Sequence, residues 1–141
     1  MRDVLTNEPR AIQRTRLDPT GRKLDRLMLG PAKGCAIKID SDADVTMGLC
    51  IAEGLETALS GRQLGYLPVW AVGSAGAIAT FPVIPSLSGL HVFGEFDERR
   101  TSEKAIAECA VRWQAAGRDV HIIWPEVGND MNDQIRMGVR A

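Results

Sequence analysis

The alternation of apolar runs with amphipathic helical patterns after residue 44 is the feature that most restricts the fold of this 141-residue chain. The apolar runs predict four strands, at residues 47–52, 69–72, 90–96 and 120–124. Helical patterns follow them, at residues 53–64, 77–81, 103–116 and within 128–138. Strands that alternate with helices favour a parallel sheet covered on both faces. We therefore expect an α/β fold built on a Rossmann-like, four-stranded parallel sheet flanked by helices.

The first 44 residues have a different character. Residues 1–40 hold nine Lys and Arg against five Asp and Glu, whereas residues 41–141 hold eight against thirteen. The segment RLDPTGRK at 16–23 has turn residues at its centre and predicts a hairpin or a tight turn, and residues 35–39 alternate like a strand. We expect a basic, β-rich N-terminal extension over residues 1–44 and an acidic body over residues 45–141. The basic charge of the extension favours binding of a polyanion, and the acidic charge of the body favours binding of divalent cations.

The number and spacing of the cysteines and the hydropathy of the sequence indicate the cellular compartment of the protein. The three cysteines are odd in number and widely spaced, without a C-x-x-C pair, which argues against a disulfide framework and a cysteine zinc site. The sequence shows neither an apolar run that would span a bilayer nor a signal-peptide pattern. We therefore expect a cytoplasmic protein without a membrane partner.

Acidic residues collect where three of the predicted strands end. The pairs are Glu53 and Glu56, Glu95 and Asp97, and Asp130 and Asp133. Open parallel sheets form their sites beyond the carboxyl ends of their strands, and closely packed carboxylates repel one another unless a cation lies between them. Oxygen ligands favour Mg²⁺ or Mn²⁺. Each pair alone is better explained by a solvated loop or a favourable helix start, and the agreement of three strand ends is what favours a metal site.

Three segments carry a family resemblance. They are LCIAEGLETAL at 49–59, VFGEFDERRTSEKA at 92–105 and GNDMND at 128–133. Together they resemble the Toprim domain of primases, topoisomerases and some nucleases, and more narrowly the Toprim region of primase-like proteins of phages and plasmids. The segment from residue 14 to residue 39 is also similar to the region that precedes Toprim in those proteins. The resemblance implies a Toprim-like fold.

The resemblance also implies roles for individual residues. Glu53 matches the glutamate after the first strand, and Asp97 matches the second aspartate of the D-x-D motif. Glu95 stands at the first aspartate, which retains the charge on an arm one methylene longer. Arg100 stands where primases commonly have a glycine. The implied catalytic residues are Glu53, Glu95 and Asp97; the implied metal ligands are these three with Asp130 and Asp133; and Glu56, Asn132 and Arg100 are supporting residues.

The implied function is Mg²⁺- or Mn²⁺-dependent nucleotidyl transfer by a DNA primase in the replication of a mobile element. Its partners would be single-stranded DNA, nucleotides, and a helicase or other replication protein. The basic extension would contact phosphates through Arg14, Arg16, Arg22, Lys23, Arg26 and Lys33. Two alternatives stay open: a metal- or nucleic-acid-binding accessory module without catalysis, which the arginine at residue 100 favours, and a Toprim-type nuclease.

Overall fold

The structure is a computed structural model that describes residues 1–138, so the last three residues of the predicted 45–141 domain lie outside the described residues. Within residues 1–138, eight strands form two sheets: β1 (Arg2–Asp3), β2 (Ile12–Leu17), β3 (Lys23–Leu29), β4 (Cys35–Lys38), β5 (Gly48–Ala52), β6 (Val69–Ala71), β7 (Gly89–Phe93) and β8 (Asp119–Ile123). The described part of the chain also contains four α-helices: α1 (Leu55–Gln63), α2 (Ala75–Ala79), α3 (Thr101–Ala115) and α4 (Met131–Arg136). Neither the 15-residue α3 nor any shorter helix in residues 1–138 has the length and apolar character to cross a bilayer.

The main sheet corrects the expected architecture. Among the described residues it has six strands in the order β1-β4-β6-β5-β7-β8, and β2 pairs with β3 in a separate sheet. The four strands predicted from the pattern pair in parallel, but β4 joins β6 antiparallel and β1 joins β4 antiparallel. The sheet is therefore mixed, and the expectation of a four-stranded parallel sheet is wrong. No α-helix lies between β4 and β5 in the described residues, so the alternation of strands and helices does not reveal β4 as a strand of this sheet. Its place in the sheet depends on its antiparallel pairing with β6.

The central strands are buried on both faces of the sheet. Leu49 and Ile51 of β5 pack into a cluster beneath α2 and α3, whereas Cys50 and Ala52 of the same strand belong to a cluster beneath α1 and α4. A strand that is covered on both faces reads as a continuous apolar run, which explains why β5 was recognisable in the sequence.

Helix α1 lies unusually close to the sheet. A Cβ atom at Gly61 would lie 2.6 Å from Cε2 of Phe93, whose side chain is fully buried on β7. Glycine is needed here because any larger residue would overlap that ring. The close packing fixes α1 so that its first turn lies directly beyond the carboxyl end of β5.

The predicted hairpin at residues 16–23 is confirmed. Asp18 Oδ1 accepts hydrogen bonds from the backbone N–H groups of Thr20 and Arg22, and Gly21 adopts a φ of 85°, so the turn is closed by local contacts. The β2–β3 hairpin reaches α1 through an ion pair of 2.8 Å between Lys23 Nζ and Glu56 Oε1. This contact brings the basic hairpin over the carboxyl edge of the main sheet.

Candidate functional site

A cleft of about 800 Å³ separates the carboxyl edge of the main sheet from the hairpin. Its acidic wall contains Glu53, Glu56, Glu95 and Asp130, and its basic residues are Arg22, Lys23, Arg26 and Arg136. The acids meet because β5, β7 and β8 are adjacent parallel strands, so the segments that follow them emerge side by side. The cleft thus joins carboxylates from three strand ends to cations from the hairpin and α4.

Glu95 is held at both ends. Its backbone N–H donates to Ser102 Oγ at 3.1 Å, and its Oε1 accepts a hydrogen bond of 2.9 Å from Thr57 Oγ1. Burial raises the pKa of Glu95 above its ordinary value; the Thr57 hydrogen bond lowers it, and the negative charges of Glu53 and Asp130 raise it again. These carboxylates therefore repel one another, as expected of a site that a cation would stabilise.

Asp97 does not line the cleft. Its Oδ1 accepts hydrogen bonds from the backbone N–H groups of Arg99 and Thr101 at 3.0 and 2.9 Å, and its Oδ2 accepts one from Ser102 N–H at 3.0 Å. The bonds from Ser102 and Thr101 are the main reason that the pKa of Asp97 lies below its usual value. In this structure Asp97 holds the first turn of α3.

Arg100 has the backbone conformation that a glycine would adopt most easily. Its φ of 53° and ψ of 37° lie in the left-handed region, where a side chain is strained. Its guanidinium forms an ion pair with Glu103 one turn along α3 and lies outside the cleft lining. The backbone therefore retains the tight turn expected where primases have glycine, although the residue is arginine.

Within the segment GNDMND at 128–133, some polar side chains line the cleft and others only hold the local backbone. Asp130 lines the cleft, and its Oδ1 also accepts a hydrogen bond of 2.8 Å from Asp133 N–H as the N-cap of α4. Asn132 lines the cleft as well. Asp133 is not part of the lining, and its Oδ2 accepts a hydrogen bond of 3.0 Å from Asn129 N–H.

Glu56 faces the hairpin. Burial raises its pKa, but the hydrogen bond and charge of Lys23, aided by Arg26, leave the pKa of Glu56 below its ordinary value. Its carboxylate is therefore ionised and engaged with a cation of the protein. Glu56 closes the cleft at the hairpin side.

The predicted phosphate-binding residues fall into two groups. Arg22, Lys23 and Arg26 line the cleft. The other three lie elsewhere: Arg14 is exposed on β2, Arg16 pairs with Asp25 at 3.0 Å, and Lys33 lies in a second cavity beside the start of α2. The structure therefore brings half of the predicted basic set to the acidic wall.

The cleft also contains residues that were not predicted from the sequence, among them Thr57 and Arg136. Thr57 bonds to Glu95, and Arg136 lies one helical turn after Asn132 on α4. The spacing of four residues between Asn132 and Arg136 would have identified the second, because such residues share a helix face. No local signal identifies Thr57, because its partner is 38 residues away.

The oxygen donors of the cleft suit a hard divalent cation. Glu53, Glu95 and Asp130 offer carboxylates and Asn132 an amide oxygen, which are the ligand types that Mg²⁺ prefers. Within residues 1–138, no three His, Cys, Asp or Glu side chains are placed closely enough to hold one ion. The donor chemistry therefore fits Mg²⁺, and binding requires these side chains to draw together.

Comparison with known proteins gives one match. A family model described as "Toprim domain" matches residues 48–141, which is more than half of the chain. No curated protein and no solved structure matches the chain. Toprim domains occur in primases, topoisomerases and nucleases, interact with nucleic acid, and generally bind divalent metal ions such as Mg²⁺. The acidic wall lies within the matched segment, and the hairpin precedes it.

Proposed function

The chain belongs to the Toprim domain family, and we propose that it is the Toprim core of a DNA primase that joins nucleotides on a DNA template in the replication of a mobile element. The observation that carries this proposal is the cleft, in which Glu53, Glu95 and Asp130 lie opposite Arg22 and Arg26. Carboxylates that face cations across one cleft suit a phosphate group bound together with a divalent metal ion.

The residues of the cleft have distinct roles in this proposal. Glu95 and Asp130 would hold Mg²⁺, which when bound would neutralise charge on the transferring phosphoryl group. Glu53 would take the proton of the attacking hydroxyl group as a general base. Arg22 and Arg26 would bind and orient phosphate oxygens from the opposite wall.

Asp97 and Asp133 are the remaining ligands that the resemblance implies. Each now accepts backbone hydrogen bonds at the start of a helix or in the loop before it. They would join the metal site only by exchanging these bonds for the ion. We therefore propose Glu95 and Asp130 as the primary metal-binding pair, with Glu53 beside them as the general base.

The hairpin supports single-stranded DNA as the partner. It carries most of the predicted phosphate contacts on a chain whose body is acidic, so it would supply the attraction for a phosphate backbone. The three cysteines are free and buried, which supports a reducing, cytoplasmic setting for the reaction. A helicase or another replication protein would supply the template.

A non-catalytic accessory module is the second candidate. It is favoured by the engagement of Asp97 with three backbone N–H groups and by the absence, within residues 1–138, of a three-acid group that could hold one ion. Such a module would bind nucleic acid, or metal, without turnover.

One pair of assays separates these functions from a nuclease. Primer synthesis is measured with labelled ribonucleotides on single-stranded DNA in Mg²⁺, beside nicking of supercoiled plasmid. We expect primers from the parent chain and from Glu108→Gln, an exposed control on α3, and none from Glu95→Gln. Nicking without primers would indicate a nuclease. DNA binding without either product would indicate the accessory module.

A further inference from the structure

Glu95 has a longer and more flexible side chain than the aspartate that the D-x-D motif carries at its first position. A glutamate has one more rotatable bond, so an unrestrained carboxylate at residue 95 would sample several positions at the cleft. Fixing this side chain on a metal ion would then cost conformational entropy, which would weaken the binding of the metal. The structure shows how this freedom is removed.

Thr57 restrains the end of that side chain. The hydrogen bond from Thr57 Oγ1 to Glu95 Oε1 measures 2.9 Å, and Thr57 is only 2 % exposed. The bond is partly buried at the cleft, so water competes for it less than it would on an exposed surface. Within residues 1–138, Thr57 is the only protein donor to the carboxylate of Glu95, so the second oxygen, Oε2, has no protein donor.

The backbone on both sides of this bond is also fixed. Glu95 N–H donates to Ser102 Oγ, and Thr57 lies on α1, whose close approach to β7 at Gly61 sets the distance between helix and strand. Thr57 lies on α1 and Glu95 lies two residues beyond the end of β7, so the packing of α1 on β7 restricts how far the two residues can move apart. A donor on a rigid helix that binds one carboxylate oxygen leaves the other oxygen in a defined place.

We infer that Thr57 is the positioning residue of the metal site: it holds Glu95 so that Oε2 is presented to a divalent cation. This inference rests on the proposed function, because it needs Glu95 to be a metal ligand. It goes further because it names the hydroxyl group that orients the longer glutamate side chain for metal binding. A carboxylate one carbon–carbon bond shorter, by roughly 1.5 Å, would lie beyond hydrogen-bond reach of Thr57.

The test uses Mn²⁺ alone as the probe, with free Mn²⁺ followed by electron paramagnetic resonance on the whole chain. Thr57→Val has nearly the same shape without the hydroxyl group, and we expect its Kd for Mn²⁺ to rise about tenfold or more. Thr57→Ser keeps the donor and should stay within about threefold of the parent. Thr80→Val, which removes an exposed hydroxyl group that bonds to Gly76 within α2, should leave the Kd unchanged.

The outcomes distinguish this inference from the proposed function. If Glu95→Gln binds Mn²⁺ as the parent does, Glu95 is not a ligand and the proposed metal site itself is wrong. If Glu95→Gln loses affinity but Thr57→Val does not, only the positioning role is wrong. Equal losses in Thr57→Val and Thr57→Ser would also overturn it, because the hydroxyl group would not be the cause.

A second variant, Glu95→Asp, tests the inference with Thr57 left in place. Glu95→Asp should weaken Mn²⁺ binding although it retains the charge, because its carboxylate no longer reaches Thr57. Adding Thr57→Val to Glu95→Asp should then cause no further loss, whereas the same change in the parent does. Parental affinity in Glu95→Asp would show that the reach to Thr57 is unimportant.

Discussion

Replacing Gly61 by alanine should destabilise the protein, although alanine is the better helix former. Alanine in a helix interior is favoured over glycine by about 1 kcal/mol. The new methyl group would lie 2.6 Å from Cε2 of Phe93, about 1 Å inside ordinary contact. The ring cannot retreat easily, because Phe93 is fully buried and meets Tyr66 edge to face with centroids 5.4 Å apart. Overpacking of this kind costs about 1–3 kcal/mol, and after the gain in helix propensity we expect a net loss of up to about 2 kcal/mol.

Urea unfolding at 25 °C measures this loss, and Gly76→Ala is the matched control. Gly76 lies in α2, where a new Cβ atom would have only Ser74 Oγ nearby, at 3.9 Å. That variant should therefore gain up to about 1 kcal/mol from helix propensity. Phe93→Leu should recover part of the loss in Gly61→Ala, because it removes the overlapping ring atoms. If Gly61→Ala were as stable as Gly76→Ala, the close packing of α1 on β7 would be refuted.

Three further predictions concern the cleft and the turn before α3. In the metal-free protein, folding raises the pKa of Glu95. The protonated Glu95 side chain therefore contributes stability that is fully present below its pKa in the unfolded chain and is lost as the pH rises through its pKa in the folded protein. Thermal melts in EDTA should therefore find Glu95→Gln more stable than the parent at pH 7 and not at pH 3; equal melting at pH 7 would contradict the burial of an ionised carboxylate. Arg100→Gly should raise the melting temperature, since it relieves a left-handed backbone at the loss of one exposed ion pair, and a lower value would show that the pair matters more. Changing Arg22, Lys23 and Arg26 to glutamate should abolish single-stranded DNA binding in a low-salt titration, where the parent should lose affinity with a log–log salt slope of about −0.7 per phosphate contact; parental binding by the triple variant would exclude the hairpin as the DNA contact.

The elements with local signals could be predicted from the sequence. The buried strand β5, helix α3 and the hairpin turn at Asp18 each depend on residues that are neighbours in the chain: a continuous apolar run, a 3.6-residue period and an aspartate that accepts N–H groups two and four residues ahead. The position of the acidic residues after the strands could be predicted for the same reason, because it depends only on where each strand ends in the sequence.

The partners of those acids could not be predicted in the same way. Glu95 and Asp97 are two residues apart and were expected to act together, yet Glu95 lines the cleft and Asp97 caps α3. The backbone N–H groups at the start of a helix lack partners within the helix, and a nearby carboxylate satisfies them. Whether such a carboxylate bonds to the start of a helix or lines the cleft depends on how the elements pack in three dimensions.

The sequence by itself determined that the chain forms an α/β fold with carboxylates beyond three strand ends, because periodicity and strand length are local properties. The tertiary structure alone decided which of them meet. The adjacency of β5, β7 and β8 brings three acids to one edge, and β4 makes the sheet mixed. Lys23 reaches Glu56 across 33 residues and Thr57 reaches Glu95 across 38. Contacts over such separations depend on how whole elements pack, and no local pattern specifies them.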